Sequence, residues 1–333
     1  MKSMNLIRVF TLAVISFFTV SALKAQDVQM AILQHGDSAS AFYGTSAFVD
    51  AMKAAVKGDA ITLSAGTFTS ATIDKAVTIQ GAGYVTDAAK GRNKTILSGD
   101  FDVALPQDAD EVLKIDGIYA AVAMNIKTAI TGLSISKSSI SNINILSNNN
   151  CIIDKCRINR FVPSQLTTNL TIRNSIICQL CGSSYPDNSL IENCIFNPLP
   201  SEFSTCLKGA VIRNSIIACG SSLYPTCSSY NNCFIEGNCN QSVNQANNYS
   251  DTSTNVFGSD VFSSNMDFNS WNINFTLTES AAAKYLGTDG KQVGIYGGDS
   301  PFTDVPSTPQ ITVKSIDSKV SNGKLNATIH VEA

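Results

Sequence analysis

The chain has 333 residues, a formal net charge of −3 and a charged fraction of 15%, well below the roughly 25% of an ordinary globular protein. Ser, Asn and Thr carry the polar surface instead, and without a basic run the charge balance argues against nucleic acid or anionic membrane as a partner. Two histidines, His35 and His330, near opposite ends of the chain, argue against a His-rich metal site or a His-dependent triad.

Taken in chain order, the first element is a targeting signal. Lys2 and Arg8 precede the apolar run "VFTLAVISFFTVSAL", which is too short to span a bilayer comfortably, and Ala25 offers a small residue before Gln26. Residues 1–25 therefore read as a cleaved signal peptide. The mature chain is expected to be secreted, periplasmic or on the outer cell surface, with no transmembrane segment and no nearby Cys for a lipid anchor. "TSAFVDAMKAAV" (45–56) then predicts an amphipathic capping helix that places Phe48, Met52, Ala55 and Val56 on one face.

From residue 61 onward, short β-branched triplets recur. With Leu63, Ile79, Leu97, Ile115, Ile135, Ile153, Ile172, Ile191, Ile212 and Tyr230 as equivalents, the steps run from 16 to 21 residues. Runs that short, broken by turns, predict a stack of parallel strands, a β-solenoid of about ten or more coils. Two places after each reference residue stands Ala65, Gly81, Gly99, Gly117, Lys137, Lys155, Asn174, Asn193, Asn214 or Asn232. Seven of these ten are Gly or Asn, the types that enter positive φ at least cost, so the column predicts a tight bend. The four Asn side chains are expected to stack and bond along the axis. Three places further on, Ile140, Ile158, Ile177, Phe196, Ile217 and Ile235 form an inward apolar column. The hexapeptide "IRNSII" occurs twice, at 172–177 and 212–217, because every coil needs this bend. "NINFTLTESAAAKYLGTDGKQVGIYGG" should cover the far end. The solenoid domain is bounded at 26–300; residues 301–333 then read as a proline-punctuated linker and a hairpin tail turning at Asn322-Gly323.

"GDAITLSAGTFTSATIDKAVTIQGAG", "TILSGDFD" and "GTDGKQVGIYGG" together resemble the pectin-lyase-like superfamily over roughly residues 44–298. The resemblance implies an all-β, right-handed parallel β-helix and an exported setting. It implies no particular activity, because this scaffold hosts lyases, hydrolases, esterases and non-catalytic surface proteins. The superfamily's enzymatic signatures do not match: "RINRFVPS" lacks the arginines that flank the lyase proline, and "STNVFGSDVF" is not the esterase motif.

Four groups remain as candidate sites. Asp100, Asp102, Asp108, Asp110 and Glu111 form an oxygen-rich cluster that suits calcium, or else a solvated loop leaving the third coil. The column Asp116, Ser136, Asp154, Arg173, Glu192, Arg213 alternates in sign; Arg173 or Arg213 beside Glu192 could serve β-elimination, and the plainer reading is a surface ion-pair ladder. Tyr185 and Tyr224, in the equivalent loops "GSSYP" and "GSSLYP", suit stacking on sugar faces, or else simply pack on their own coils. Ten cysteines lie between 151 and 239. Cys156, Cys194 and Cys233 share a column two rungs apart, about 9.6 Å at a strand spacing of about 4.8 Å, beyond the disulfide reach of about 7 Å. They read as packing residues. Cys178-x-x-Cys181 could be redox-active or half a zinc site, and the remaining pairings stay open.

The expectation is a monomeric exported protein that binds a polysaccharide or surface glycan without strong catalysis and needs no cofactor. The alternatives are a calcium-assisted lyase or a hydrolase acting on uronate-containing glycans, and a purely structural or adhesive surface protein.

Overall fold

The computed structural model describes residues 29–106, 112–163, 167–180, 189–196, 210–217, 229–231, 234–236, 244–246, 249–251, 261–263, 275–307, 310–316 and 327–332. Within them the chain is an all-β parallel solenoid of about seven turns. Its coils stack into two long sheets, one of 12 strands and one of 11. Period-two alternation places the core: along Ile130–Ser136, Leu133 and Ile135 are buried, whereas Ser134 and Ser136 are half-exposed. In the first sheet Ile79, Ile115, Ile135, Ile153, Ile172, Ile191 and Ile212 pair in one buried column. In the second, Ile140, Ile158, Ile177, Phe196 and Ile217 do the same. Each such side chain contributes about 1.5–3 kcal/mol relative to exposure.

From Gly117 to Asn214 the bend column is as expected and stricter than its composition suggests; Ala65 and Gly81 do not have positive φ, Gly99 follows a strand of the second sheet, and Asn232 lies outside the described residues. Gly117, Lys137, Lys155, Asn174, Asn193 and Asn214 have φ of 68°, 42°, 54°, 44°, 52° and 53°. Two lysines therefore hold a backbone conformation that Gly and Asn enter more cheaply, a strain of about 1–3 kcal/mol apiece. The ladder over-determines it: the N–H of Lys137 donates to Asp154 O and that of Lys155 to Arg173 O, at 3.0 and 3.2 Å.

Leu63 and Leu97 do not join the first-sheet column. Ile79 pairs directly with Ile115, whereas Leu97 sits on the second sheet between Phe68 and Ala120. The first-sheet partner of Ile79 on the other side is Ile61, not Leu63. The triplets "TIL" and "LKI" have the same alternation, and alternation alone does not say which sheet a strand joins.

The N-terminal edge also differs from expectation. Strand β1 (Met30–His35) pairs antiparallel with both β2 (Ser38–Tyr43) and β3 (Ala60–Leu63), so an antiparallel hairpin extends the first sheet. Helix α1 (Ala47–Ala54) packs beside it, with Ala47, Phe48, Ala51 and Met52 buried. Val56 is 48% exposed, because the backbone turns extended at Ala55 and Val56 leaves the helical face.

Asp59 ties this corner together. It is 5% exposed, lies 2.7 Å from His35 Nδ1 on β1 and accepts from the Val56 N–H at 2.8 Å. Burial raises its pKa, but the Val56 N–H and His35 outweigh burial and hold it below the ordinary carboxylate value. A depressed folded pKa contributes stability above the ordinary value, lost as pH falls through the folded one. A urea-midpoint titration over about pH 5 to 2 should therefore show an acid loss that Asp59→Asn reduces. An identical acid limb in the variant would assign the loss to other carboxylates.

The closing segment does not simply cover the far end; it runs back along the bend. Helix α2 (Glu279–Lys284), N-capped by Thr278, joins Val261, Phe262, Phe275, Val293 and Ile295 in a second small core over Ile176, Ile195 and Ile216. From there the strap descends the bend column. Asn214 Nδ2 donates to Thr288 Oγ1 at 3.1 Å, Asn193 Nδ2 to Gly294 O at 3.5 Å, and Asn174 Nδ2 to Ile295 O and Gly297 O, both at 2.9 Å. Lys155 Nζ donates to Ser300 Oγ at 2.7 Å. Asn174, Asn193 and Asn214 thus bond the strap rather than stacking on one another, and the Asn214 carbonyl also accepts the strap's Gly294 N–H at 2.8 Å. Residues 301–307, read as linker, stay on the rod: Ser307 Oγ donates to Asp116 Oδ1 at 3.3 Å. Beyond them Gln310–Ile316 and Ala327–Glu332 pair antiparallel; the Asn322-Gly323 turn lies outside the described residues.

Candidate functional site

Two residues past each bend, an outward-facing column opens the second sheet: Tyr119, Ser139, Arg157, Ile176, Ile195 and Ile216, each paired with the next. The three isoleucines lie under the strap core. Arg157 stands where that cover ends, its guanidinium carbon 5.9 Å from the Phe275 ring centroid. Beyond it the column turns polar and a cleft of about 270 Å³ opens, lined by Tyr84, Val85, Thr86, Lys94, Tyr119, Ser139 and Arg157.

The opposite wall is the 84–94 loop, and it is held firmly. Asp87 accepts the N–H groups of Ala89 and Lys90 at 3.1 and 3.2 Å, capping the short turn Ala88–Lys90. Arg92, 5% exposed, donates to Asp87 Oδ2 at 3.2 Å and lies 3.8 Å from Asp304 of the strap. At its base Thr95 Oγ1 accepts from the Ala82 N–H and donates to Ser64 O, at 2.7 and 2.9 Å.

The chemistry of the lining is that of hydrogen-bond donors. Tyr84 is 5% exposed, yet its hydroxyl has no partner among the described residues. Burial first, then the nearby Asp304, pushes that phenol above its ordinary range, and Arg157 offsets only part of the rise. Desolvation lowers the Arg157 pKa from its ordinary value, with Tyr84 and Asp304 opposing. Lys94 Nζ sits 3.9 Å from the Tyr119 ring centroid, a cation–π contact. A buried hydroxyl left without an acceptor costs about 1–3 kcal/mol, so an acceptor arriving from solvent would recover it.

Those residues singled out from the sequence that fall among the described ones lie elsewhere. Arg173 Nε donates to Asp154 Oδ1 at 3.0 Å, Arg213 Nε lies 2.6 Å from Glu192 Oε1, and Ser136 Oγ donates to Asp116 Oδ1 at 2.6 Å. This is the ion-pair ladder, rung to rung along the first sheet. Arg173→Ala should accordingly lower stability by less than about 1 kcal/mol, since its side chain is half exposed, and added salt should shrink the difference. A loss above about 2 kcal/mol in a denaturant titration would contradict a ladder role.

Asp102 accepts from Lys127 Nζ at 2.6 Å and Asn125 Nδ2 at 3.2 Å, and Lys127 is the main reason its pKa is lowered. Asp100 accepts the Ala123 N–H at 3.1 Å. Asp108, Asp110 and Glu111 lie outside the described residues, as do Tyr185, Tyr224, Cys181 and Cys233. Among the described residues no group of three or more His, Cys, Asp or Glu side chains could hold a metal ion. Cys156 and Cys194 are free and buried, each with its Sγ near the carbonyl two residues back, at 3.3 and 3.2 Å. They alternate with Ser175 and Ser215, whose hydroxyls donate to the equivalent carbonyls at 2.7 and 2.8 Å. Burial pushes both thiols far above their ordinary range, which suits packing and not reactivity.

A comparison with known protein families, with curated proteins and with solved structures finds no match for this chain. The cleft was not anticipated from the sequence. One signal was available: two places past the bends the residues run Tyr, Ser, Arg, Ile, Ile, Ile, and the change from polar to apolar marks where the strap's cover begins.

Proposed function

We propose that the protein is an exported, pectin-lyase-like β-helix that binds complex polysaccharide on the flank of its rod without strong catalysis and without a required cofactor. The observation that carries this reading is the donor-lined cleft of Tyr84, Lys94, Tyr119, Ser139 and Arg157 beside an Asn- and Ser-rich surface. A cleft that offers hydroxyl, ammonium and guanidinium donors beside an aromatic ring suits a hydroxyl-rich ligand. The alternative of a calcium-assisted lyase draws on Arg173, Arg213 and the acidic cluster. Both arginines are engaged by carboxylates of neighbouring rungs, while Asp100 accepts from the Ala123 N–H and Asp102 from Lys127. Export, with residues 1–25 as signal peptide, is part of the same proposal.

The test incubates purified residues 26–333 with a panel of acidic and neutral polysaccharides, with and without calcium, and measures both retention and polymer length. Retention with unchanged length supports the reading. Shortened polymer would replace it with an enzyme, and calcium dependence of that shortening would point to the acidic cluster.

A further inference from the structure

We propose that the cleft between the 84–94 loop and the Tyr119, Ser139 and Arg157 column binds an oxyanion, a carboxylate or a sulfate ester, carried on a unit the size of one sugar. This rests on the glycan-binding reading and deepens it. The lining supplies the Lys94 ammonium, the Arg157 guanidinium and the Tyr84 and Ser139 hydroxyls, and no lining residue is acidic. Lys94 forms no ion pair among the described residues; its contact is the face of Tyr119. The acid nearest in electrostatic effect, Asp304, is engaged by Arg92 at 3.8 Å. Two cations thus converge with a buried phenol whose hydroxyl has no internal acceptor, on a chain whose net charge is −3. A polyanion has no general attraction to such a surface, so binding would be local to this cleft. Its volume of about 270 Å³ admits one ring and its substituent. Charge-assisted bonds from Lys and Arg, with the Tyr84 hydroxyl as third donor, would fix the oxyanion, and the Tyr119 ring would flank the sugar.

The experiment titrates residues 26–333 by calorimetry with a polyuronate, a sulfated galactan and a neutral galactan, and with inorganic sulfate and acetate as competitors. At least one acidic polymer should bind and the neutral one should not; which acidic polymer binds distinguishes carboxylate from sulfate. Lys94→Gln should weaken binding about tenfold, as expected for the loss of one charge-assisted contact. Tyr84→Phe should weaken it about fivefold while leaving the unfolding midpoint unchanged or raised, because the lost hydroxyl has no internal partner. The Lys94→Gln arm stands even if Tyr84→Phe folds poorly. Unchanged affinity in Lys94→Gln, or in a folded Tyr84→Phe, overturns the inference. Equal binding of neutral and acidic polymers overturns it while leaving the glycan-binding reading intact. Absence of binding by every probe overturns both.

Discussion

Asn174→Ala is expected to lower the unfolding free energy by about 3 kcal/mol and to release the closing strap to proteolysis. Asn174 is 5% exposed and its amide donates to two strap carbonyls, Ile295 O and Gly297 O, both at 2.9 Å. Alanine removes both bonds and leaves those carbonyls without their donor, at a net cost of about 1 kcal/mol each or more. It also places a residue with no local polar compensation at φ 44°, a conformation Asn tolerates better. Asn174→Gly separates the two terms, because it relieves the backbone and still lacks the amide. It should fall between alanine and the parent in a urea titration. Limited proteolysis then reads the strap directly: new cleavage within 287–300 is expected in both variants and in Asn214→Ala, which loses its bonds to Thr288. A parent-like cleavage pattern in all three would mean that the apolar contacts of Phe275, Val293 and Ile295 hold the strap without the asparagines. Because Arg157 rests against Phe275, strap release should also weaken whatever the cleft binds.

Gly81→Ala is expected to cost at least about 3 kcal/mol, or to prevent folding, through crowding alone. A Cβ at Gly81 would stand 2.3 Å from the carbonyl oxygen of Gly117 and 3.0 Å from its carbonyl carbon. The neighbour is backbone, and it has nowhere to go. The Gly81 N–H donates to Asp116 O and the Gly83 N–H to Gly117 O, both at 2.8 Å, so retreat would break the ladder where the first coils bend. Gly81 does not have positive φ, so its requirement for glycine is steric. Gly36→Ala is the complementary control: φ is 53° there, but a Cβ would meet nothing within 4 Å, and its cost should stay near about 1 kcal/mol. Equal costs at the two positions, measured by urea unfolding, would show that the two backbones can part and that the bend is not close-packed.

The bend, the inward columns, the sign-alternating ladder and the cysteine column were legible in the sequence because each repeats once per coil. A residue type needed for local geometry or for burial then recurs at nearly fixed spacing. The Asn and Gly of the bend, the isoleucines of the core, and the pairing of Arg173 with Asp154 all rest on that repetition. Local pattern failed where distinct placements share one pattern. Leu97 has the same neighbours in sequence whether it sits on the first sheet or the second, and only pairing with Phe68 and Ala120 decides. The antiparallel pairing of β1 with β3 is a further choice that alternation leaves open.

The strap and the cleft were beyond reach for a different reason. Asn174 binds carbonyls more than a hundred residues away, and a backbone carbonyl is the same acceptor in every residue, so it leaves no mark in the sequence. The cleft is assembled from the 84–94 loop, three separate rungs and the place where the strap's apolar cover ends. Sequence alone determined the repeating unit, because stacking imposes the same local demand on every coil. Tertiary structure decided which surface stayed uncovered, because that depends on where a long, non-repeating segment finds carbonyl, amide and apolar partners along the finished rod.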